Sequence, residues 1–310
     1  MTITAKTDSQ SISLWRRFTM WLDRENVLGS VFITPSLIIL LLFVAYPFGV
    51  AIYLSFTDRV IGAAGGYNFI GIKNYIDLLN DEIFRQTALN TFNYTFVAVV
   101  FKLILGMLMA LILNEVNVFK NFFRGALLLP WVIPTSLSTL IWLWMFDSQY
   151  SVFNWILLNL GIINEKIIWL GFPKTAMLSV QIINIWRGIP FFGISLLAGL
   201  QTIPQEMYEA AEIDGASAWH RFWKITMPFL RPVTIVTTLF SIITTFADFQ
   251  IVYVLTRGGP VNSTHLFATL THNVAILAGQ LGQGAAISLF IFPVLVVVVI
   301  LQLRSLQTEQ

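Results

Sequence analysis

Residues 26–57 read NVLGSVFITPSLIILLLFVAYPFGVAIYLSFT, a run without a single charged side chain. About 20 apolar residues are enough for a helix to cross the hydrocarbon core of a bilayer, so this run can span a membrane. A secretory signal peptide has an apolar part of only about 7 to 15 residues followed by a small-residue cleavage site, and this run is longer and has no obvious site of that kind. We therefore expect it to remain in the chain as a membrane anchor.

Long neutral runs recur along the chain, separated by clusters of charged residues. Each of five further runs contains at most one charged residue and is long enough to include a membrane-spanning helix. They are Gln86 to Asn114, Gly125 to Phe146, Thr175 to Gln205, Pro232 to Thr256, and Gly258 to Leu303, in which a loop precedes a helix from about Ala285. The sequence therefore predicts an all-α membrane protein with six transmembrane helices. A shorter stretch, residues 148–164, is interpreted as a short helix at the membrane surface.

The composition argues against several classes of protein. Charged residues make up 11% of the 310 residues, against roughly 25% in an ordinary soluble domain, and 56% are hydrophobic. This balance does not fit a water-soluble globule. The formal net charge of +2 gives no basic footprint for nucleic acid. Because the chain has no cysteine, disulfides, thiolate catalysis and cysteine-based zinc sites are absent.

The basic residues are distributed unevenly between the two sides of the predicted spans. With the amino terminus in the cytoplasm, ten Lys and Arg residues fall inside and six outside, which agrees with the positive-inside rule. We expect a cytoplasmic amino-terminal segment (1–25), one transmembrane domain (26–306) with a cytoplasmic loop at about 202–227, and a cytoplasmic tail (307–310). Both termini are then cytoplasmic.

Motifs for catalysis and metal binding are missing from the sequence. The three histidines are not part of an H-E-x-x-H motif, and the chain contains neither a G-x-S-x-G motif nor a G-x-x-x-x-G-K-[ST] phosphate-binding loop. We therefore predict no catalytic residues, no metal site and no ATP hydrolysis by this chain. Transport, a channel or an assembly role are the functions that remain.

The loop between the fourth and fifth runs has a distinct pattern. Thr202 and Gln205 fit a capping box and Pro204 suits a first turn, so a short helix is expected to begin here. Asp214-Gly215 should end it, because glycine readily adopts the left-handed conformation of a helix end. Ser217 can then cap a second short helix that runs to Pro228. Taken alone, the pattern also fits an amphipathic loop resting on lipid headgroups.

The residue order of this loop resembles the EAA loop of permease subunits of ATP-binding-cassette importers. The matching residues are Glu209, Ala210, Ala211, Asp214 and Gly215. In that family the loop forms a cytoplasmic coupling helix between spans 4 and 5, which fits a cleft in the nucleotide-binding subunit. The resemblance implies that the five residues couple this chain to such a subunit.

Further segments narrow the resemblance to maltose-type carbohydrate permeases. Tyr46-Pro47, Phe69-Ile70-Gly71 and Leu200-Gln201 are similar to segments of that group, and residues 253–260 (YVLTRGGP) resemble a segment of the first of its two paired permeases. The resemblance implies half of a sugar pathway in the inner membrane of a prokaryote, within the lipid bilayer. It also implies a second permease, two nucleotide-binding ATPase subunits that hold ATP and Mg, and an extracytoplasmic sugar-binding protein. This chain itself would bind no cofactor.

Polar residues inside the predicted spans are candidates for the substrate path, since an ionised group at bilayer depth is costly. Asp248, Gln250 and Tyr253 recur at helical spacing in the fifth run, with Phe249 beside them, and could supply hydrogen bonds and an apolar ring to a sugar. Alternatively, Asp248 forms an ion pair with Arg187 or Lys102 that holds the helices together.

The fourth run contains a second candidate for the substrate path. Trp186 and Arg187 precede Gly188 and Pro190, a pattern that could break the helix, as in transporters, or only kink it. Tyr94 and Asn184 are interpreted as helix–helix hydrogen bonds.

Three other functions stay open. The first is the same importer class with a polyol or a glycerophosphodiester as its cargo. The second is an ion-driven secondary transporter with Asp248 as its coupling carboxylate, and the third is a scaffold subunit that transports nothing.

Overall fold

A computed structural model describes residues 25–63, 65–116 and 118–307. Nearly all of these residues are helical, and within them there is no β-strand, only the isolated bridges Thr57 to Phe69 and Val60 to Gln280. The expected cytoplasmic segment 1–25 and the tail 307–310 lie outside the described residues, apart from Glu25 and Gln307. The all-α architecture predicted from the neutral runs is confirmed.

Fifteen α-helices are numbered in chain order within the described residues, and three π-helical segments connect some of them. The α-helices are α1 (Glu25–Leu40), α2 (Tyr46–Ser55), α3 (Lys73–Asn80), α4 (Glu82–Glu115), α5 (Lys120–Val132), α6 (Thr135–Met145), α7 (Val152–Asn159), α8 (Pro173–Leu200), α9 (Gln205–Ile213), α10 (Ala218–Arg221), α11 (Met227–Phe246), α12 (Gln250–Leu255), α13 (Phe267–His272), α14 (Leu281–Leu289) and α15 (Ile291–Gln307). The π-helical segments are Leu41–Ala45, Phe222–Thr226 and Asn273–Leu277.

Five helical stretches in the described part are long and apolar enough to cross a membrane. They are Leu28–Ser55, Glu82–Glu115, Pro173–Leu200, Ala218–Leu255 and Leu281–Ile300. The helices α5 and α6 meet the same test together but differ in direction by 87°. The number of spans is six if this bent pair counts as one.

Residues up to Tyr53 and residues from Leu54 onward form two separate compact units. The first unit contains the apolar helix that the opening run predicts, continuous from α1 through a π-helical segment into α2. Thr34 in this helix donates from its hydroxyl to the carbonyl of Ser30 at 2.6 Å. This bond satisfies the hydroxyl inside the helix, as an apolar environment requires.

The bend between α5 and α6 has a local cause. Ile133 precedes Pro134, and the residue before a proline is disfavoured in the helical conformation. Ile133 accordingly adopts an extended conformation (φ −61°, ψ 132°), and α6 begins after Pro134. The third neutral run, Gly125 to Phe146, therefore forms a bent pair of helices and not one continuous helix.

The second unit is built around the contact between α4 and α8. A Cβ atom added at Gly106 of α4 would overlap Cβ of Phe192 in α8, so the two helices touch where glycine has no side chain. Phe192 is fully buried there with Leu196 and Leu230. Because the two helices approach closely, the polar side chains in the middle of α4 lie near those in the middle of α8.

Of the two alternatives for Trp186–Pro190, the break of the fourth span is not found, because α8 is continuous from Pro173 to Leu200 and carries Pro190 inside it. Proline is tolerated in spanning helices where neighbouring helices support the backbone. Gly188 instead allows a close contact, since a Cβ atom there would lie 2.5 Å from the Lys102 side chain.

A break is found in the fifth span. Residues 247–249 separate α11 from α12. Asp248 and Phe249 thus lie in an interruption of the helix rather than at regular helical spacing within it.

The loop before the fifth span follows the sequence prediction at one end and departs from it at the other. Gly215 has φ +78° and ends α9, and the Ser217 hydroxyl accepts from the His220 backbone N–H at 3.3 Å as a cap. The second helix does not stop at Pro228, because α10 continues through a π-helical segment into α11.

The start of α9 shows that the expected capping box is wrong. The Thr202 hydroxyl donates to the Gly199 carbonyl at 2.8 Å, and no side chain caps α9.

Candidate functional site

The carboxylate of Asp248 is the centre of a polar cluster that joins three parts of the chain. Oδ2 of Asp248 accepts from the Tyr94 hydroxyl of α4 at 2.6 Å and from Nδ2 of Asn184 in α8 at 2.9 Å. Oδ1 accepts a longer bond, 3.4 Å, from the Ile251 backbone N–H at the start of α12. A half-buried carboxylate is therefore stabilised by neutral donors from separate helices.

The direct ion pairs considered for Asp248 are not formed. Nη1 of Arg187 donates to the carbonyl of Ile133 at 2.9 Å and to the Ser138 hydroxyl at 3.0 Å, so Arg187 is bound to the bend between α5 and α6. Nζ of Lys102 donates to the hydroxyls of Thr245 at 2.8 Å and Ser241 at 3.5 Å. The helices are held together through hydroxyls and carbonyls instead.

Three aromatic rings form a group that begins at Phe249, the residue after Asp248. The rings of Phe249 and Tyr253 stack with centroids 4.8 Å apart, and His272 lies 5.3 Å and 5.0 Å from them. Gln250 is exposed next to this group, and Phe249 and Tyr253 are half-buried. The break in the fifth span thus places Asp248 and Gln250 on either side of Phe249 in the chain, and the fold adds His272 to the Phe249–Tyr253 ring pair.

His272 is a residue that sequence reasoning missed. It lies at the end of α13, in the sixth run, and no motif marks it. Only the fold brings it to Phe249 and Tyr253. Trp186, a predicted candidate, lies elsewhere in this unit against Trp142, with ring centroids 5.3 Å apart.

Several buried polar atoms near the cluster have no hydrogen-bond partner within the described part of the chain. Oδ1 of Asn184 is one of them, and the Thr95 hydroxyl of α4 is another. Buried polar groups are usually hydrogen-bonded, so these atoms are exceptions among the described residues.

The short helix α9 has two different sides. Tyr208 and Ala211 pack on the neighbouring core, where the Tyr208 hydroxyl lies 2.9 Å from that of Thr226. Met207 and Ile213 are 44% and 87% exposed, and Glu209, Ala210 and Asp214 are exposed as well. The five predicted coupling residues therefore do not share one side, because Ala211 is partly buried.

Backbone hydrogen bonds fix the end of α9. The N–H of Gly215 donates to the carbonyl of Glu212 at 3.0 Å, and that of Ala216 donates to the carbonyl of Ala211 at 2.9 Å. Glu212 also pairs with Arg221 of α10 at 2.8 Å. The exposed side of α9 is thus held by a tight bend and an ion pair.

The connection between α2 and α3 carries a further polar contact. The backbone N–H of Asn68 donates to Oδ1 of Asp58 at 2.6 Å, and this bond lowers the pKa of the Asp58 carboxyl below its ordinary value. Gly282 packs against the carbonyl of Thr57, where no side chain would fit. As for metals, the described residues hold no group of three His, Cys, Asp or Glu side chains that could bind an ion.

The chain is similar to known transport proteins over most of its length. It is 36% identical to the sulfoquinovosyl glycerol transport system permease protein of Agrobacterium fabrum, over 94% of this chain and 95% of the relative. It is 39% identical to the trehalose/maltose transport system permease protein of Thermococcus litoralis, over 87% of this chain and 90% of the relative.

A solved structure shares the fold. It is a bacterial alginate ABC transporter in complex with an alginate pentasaccharide-bound periplasmic protein, with a TM-score of 0.78 and 20% identity over 93% of this chain and 95% of the compared chain. Residues 102–307 also match the family model described as the binding-protein-dependent transport system inner membrane component. This range contains α8 to α12, and with them Asp248, Asn184 and α9, whereas Tyr94 precedes it. The chain belongs to this family of membrane permeases of ATP-binding-cassette transporters.

Proposed function

We propose that this chain forms half of the transmembrane pathway of an ATP-driven importer, and that its cargo is a sugar. The observation that carries the proposal is the group at the break of the fifth span, where Asp248 accepts hydrogen bonds from Tyr94 and Asn184 and is followed by Phe249, whose ring stacks on Tyr253. Relatives named for trehalose, maltose and sulfoquinovosyl glycerol support the same class of cargo.

The chemistry of this group suits a carbohydrate. Carboxylate and amide oxygens accept hydrogen bonds from sugar hydroxyls, and an aromatic ring packs on the apolar C–H face of a pyranose. Asp248, Phe249, Gln250 and Tyr253 are therefore assigned to the substrate path, with Trp186 and Arg187 as further candidates.

We assign coupling to the exposed side of α9. Glu209, Ala210, Asp214 and Gly215 would dock on a nucleotide-binding subunit, and Ala211 would link that contact to the core of this chain. ATP and Mg would be held and hydrolysed by a pair of those subunits, so this chain would need no catalytic residue of its own. Closure of the ATPase pair would move α9 and change which side of the membrane the pathway opens to.

The proposed assembly has further members. A second, similar permease would form the other half of the pathway, and an extracytoplasmic sugar-binding protein would deliver the cargo. The alginate transporter supports this arrangement, since its complex includes a periplasmic protein with a bound alginate pentasaccharide. Both termini and α9 would lie in the cytoplasm of a prokaryote, with this chain in the inner membrane.

Reconstitution of the complex tests this function. The purified permeases and ATPase subunits, placed in liposomes with the binding protein and a sugar, should hydrolyse ATP faster than with the empty binding protein, and the sugar should accumulate inside. Transport that persists without ATP and stops with a proton or sodium ionophore would instead indicate a secondary transporter. A complex whose ATPase responds to no sugar would indicate another cargo or a scaffold.

A further inference from the structure

The middle of the second unit holds two cations and one anion. Lys102 lies in the central part of α4, Arg187 in the central part of α8, and Asp248 in the break between α11 and α12. Charged groups are rare at this depth, because the bilayer offers no water to solvate them, and they mark substrate paths or partners. The excess of positive over negative charge in this group therefore needs a physical explanation.

Lys102 is the most enclosed of the three groups. Its side chain is 4% exposed and lies against Gly188, and its ammonium is bound only by the hydroxyls of Thr245 and Ser241. Hydroxyls solvate an ammonium but carry no charge to balance it. Among the described residues, no carboxylate is within salt-bridge distance of Lys102.

Arg187 is half-buried and has the same lack of an anionic partner. Only Nη1 makes hydrogen bonds to described residues, and its acceptors are a carbonyl and a hydroxyl. A guanidinium has further N–H donors in a planar fork, which match the oxygens of a carboxylate, sulfonate or phosphate. These donors remain available to a bound molecule.

Asp248 can balance only one of the two cations. It interacts electrostatically with both Lys102 and Arg187, although it pairs directly with neither. The three groups together keep one surplus positive charge at bilayer depth. An uncompensated charge is strongly unfavourable in such surroundings, and a bound anion would relieve it.

We infer that the cargo of this pathway is an anionic carbohydrate, whose carboxylate, sulfonate or phosphate group is attracted by the surplus charge of Lys102 and Arg187. This inference rests on the proposed sugar pathway and names its substrate class. Asp248, Asn184 and the rings at Phe249 and Tyr253 would bind the hydroxyls and the apolar face, while the two cations select for charge. A neutral disaccharide would leave the surplus charge unbalanced.

The test compares charged and neutral sugars on the same complex. The purified complex of both permeases and the ATPase pair, without a binding protein, is titrated with digalacturonate, sulfoquinovosyl glycerol, maltose and trehalose, and binding is followed by tryptophan fluorescence. We expect at least one of the two anionic probes to bind more than tenfold tighter than both neutral ones, and this preference to weaken as salt is raised.

Variants of this chain then locate the effect. Lys102→Met should reduce the affinity for the anionic probe at least tenfold and leave the weak binding of maltose unchanged. Lys174→Met, at the exposed start of α8, is the matched control and should change neither. If Lys102→Met prevents assembly, the preference and salt dependence of the wild-type complex still decide the question.

Three results would overturn the inference. Equal or tighter binding of maltose or trehalose by the wild type would show a neutral cargo and leave the sugar pathway intact. Neutral binding combined with loss of assembly in Lys102→Met would assign Lys102 to assembly of the complex and not to the cargo. If no probe binds and no sugar stimulates the ATPase in liposomes, the proposed function fails together with the inference.

Discussion

Asp248 shows how one carboxylate can depend on residues far away in the chain. Its donors Tyr94 and Asn184 are 154 and 64 residues distant, and they reach it only because α4 and α8 pack closely. An aspartate deep inside a neutral run of the sequence indicates a functional group. The identity of its partners depends on long-range packing, which no local pattern contains.

Replacement of Asp248 by Asn tests whether its charge serves transport or assembly. The amide keeps the volume of the side chain, and its oxygen can still accept from Tyr94, but the charge is lost. We expect uptake of the cargo to fall by roughly tenfold or more, which corresponds to about 1.4 kcal/mol, while yield and basal ATPase activity are retained.

Tyr94→Phe serves as a companion variant to Asp248→Asn. It removes one donor to the carboxylate and leaves the charge, so its effect on uptake should be the smaller of the two. Loss of the assembled complex in Asp248→Asn would assign the carboxylate to helix packing instead of the substrate path.

At the scale of helices, the close contact of α4 with α8 sets the geometry of the site. Gly106→Ala would place a methyl group in overlap with Cβ of Phe192 and 3.1 Å from the backbone nitrogen of Gly193, so the helices would have to move apart. We expect a loss of stability of about 1–3 kcal/mol, seen as a lower unfolding temperature of the purified complex.

Gly125→Ala is the matched control for Gly106→Ala, since it introduces the same methyl group in α5, where no atom lies within 4 Å. It should not lower the unfolding temperature and should raise it slightly, because alanine favours the helical conformation more than glycine does. Equal unfolding temperatures for the two variants would contradict the packing argument.

A second prediction at this scale concerns the bend after α9. Gly215 has φ +78°, and nothing lies within 4 Å of its missing Cβ, so a substitution there is opposed by backbone strain and not by crowding. Gly215→Val should redirect the start of the fifth span and separate ATP hydrolysis from transport. Gly215→Asn, whose side chain tolerates the left-handed region, should keep most of the coupling.

The measurement compares ATPase stimulation by loaded binding protein in the two variants. Glu209→Lys, on the exposed side of α9, should weaken the retention of the ATPase subunits during purification. Normal transport and stimulation in Gly215→Val and Glu209→Lys would show that α9 only rests on lipid.

The elements that the sequence predicts well are those governed by local rules. Neutral runs of sufficient length become helices, and Gly215 and Ser217 end and begin helices as their chemistry requires. Prolines are harder to interpret. Pro134 follows an extended residue and accompanies a bend, whereas Pro190 lies within a continuous helix supported by its neighbours. The sequence alone does not show which proline a neighbouring helix supports.

For the whole molecule, the hydrophobic pattern predicts the class of fold because the bilayer requires every backbone group in it to be hydrogen-bonded internally. Helices satisfy this requirement within one segment, so length and composition are sufficient. The direction of each span depends on a modest excess of basic residues on one side. Orientation is therefore the property of the whole chain that most needs measurement.

The orientation can be measured because the chain has no cysteine. Single cysteines at Gly66, Glu165 and Val261 should react with a membrane-impermeant thiol reagent in intact cells, because these exposed positions lie in loops predicted to be outside. Cysteines at Lys120 and Glu209, also exposed, should react only after the membrane is permeabilised. Labelling of position 209 in intact cells would place α9 on the outer side, where no ATPase subunit could reach it, and both the orientation and the proposed coupling would be wrong.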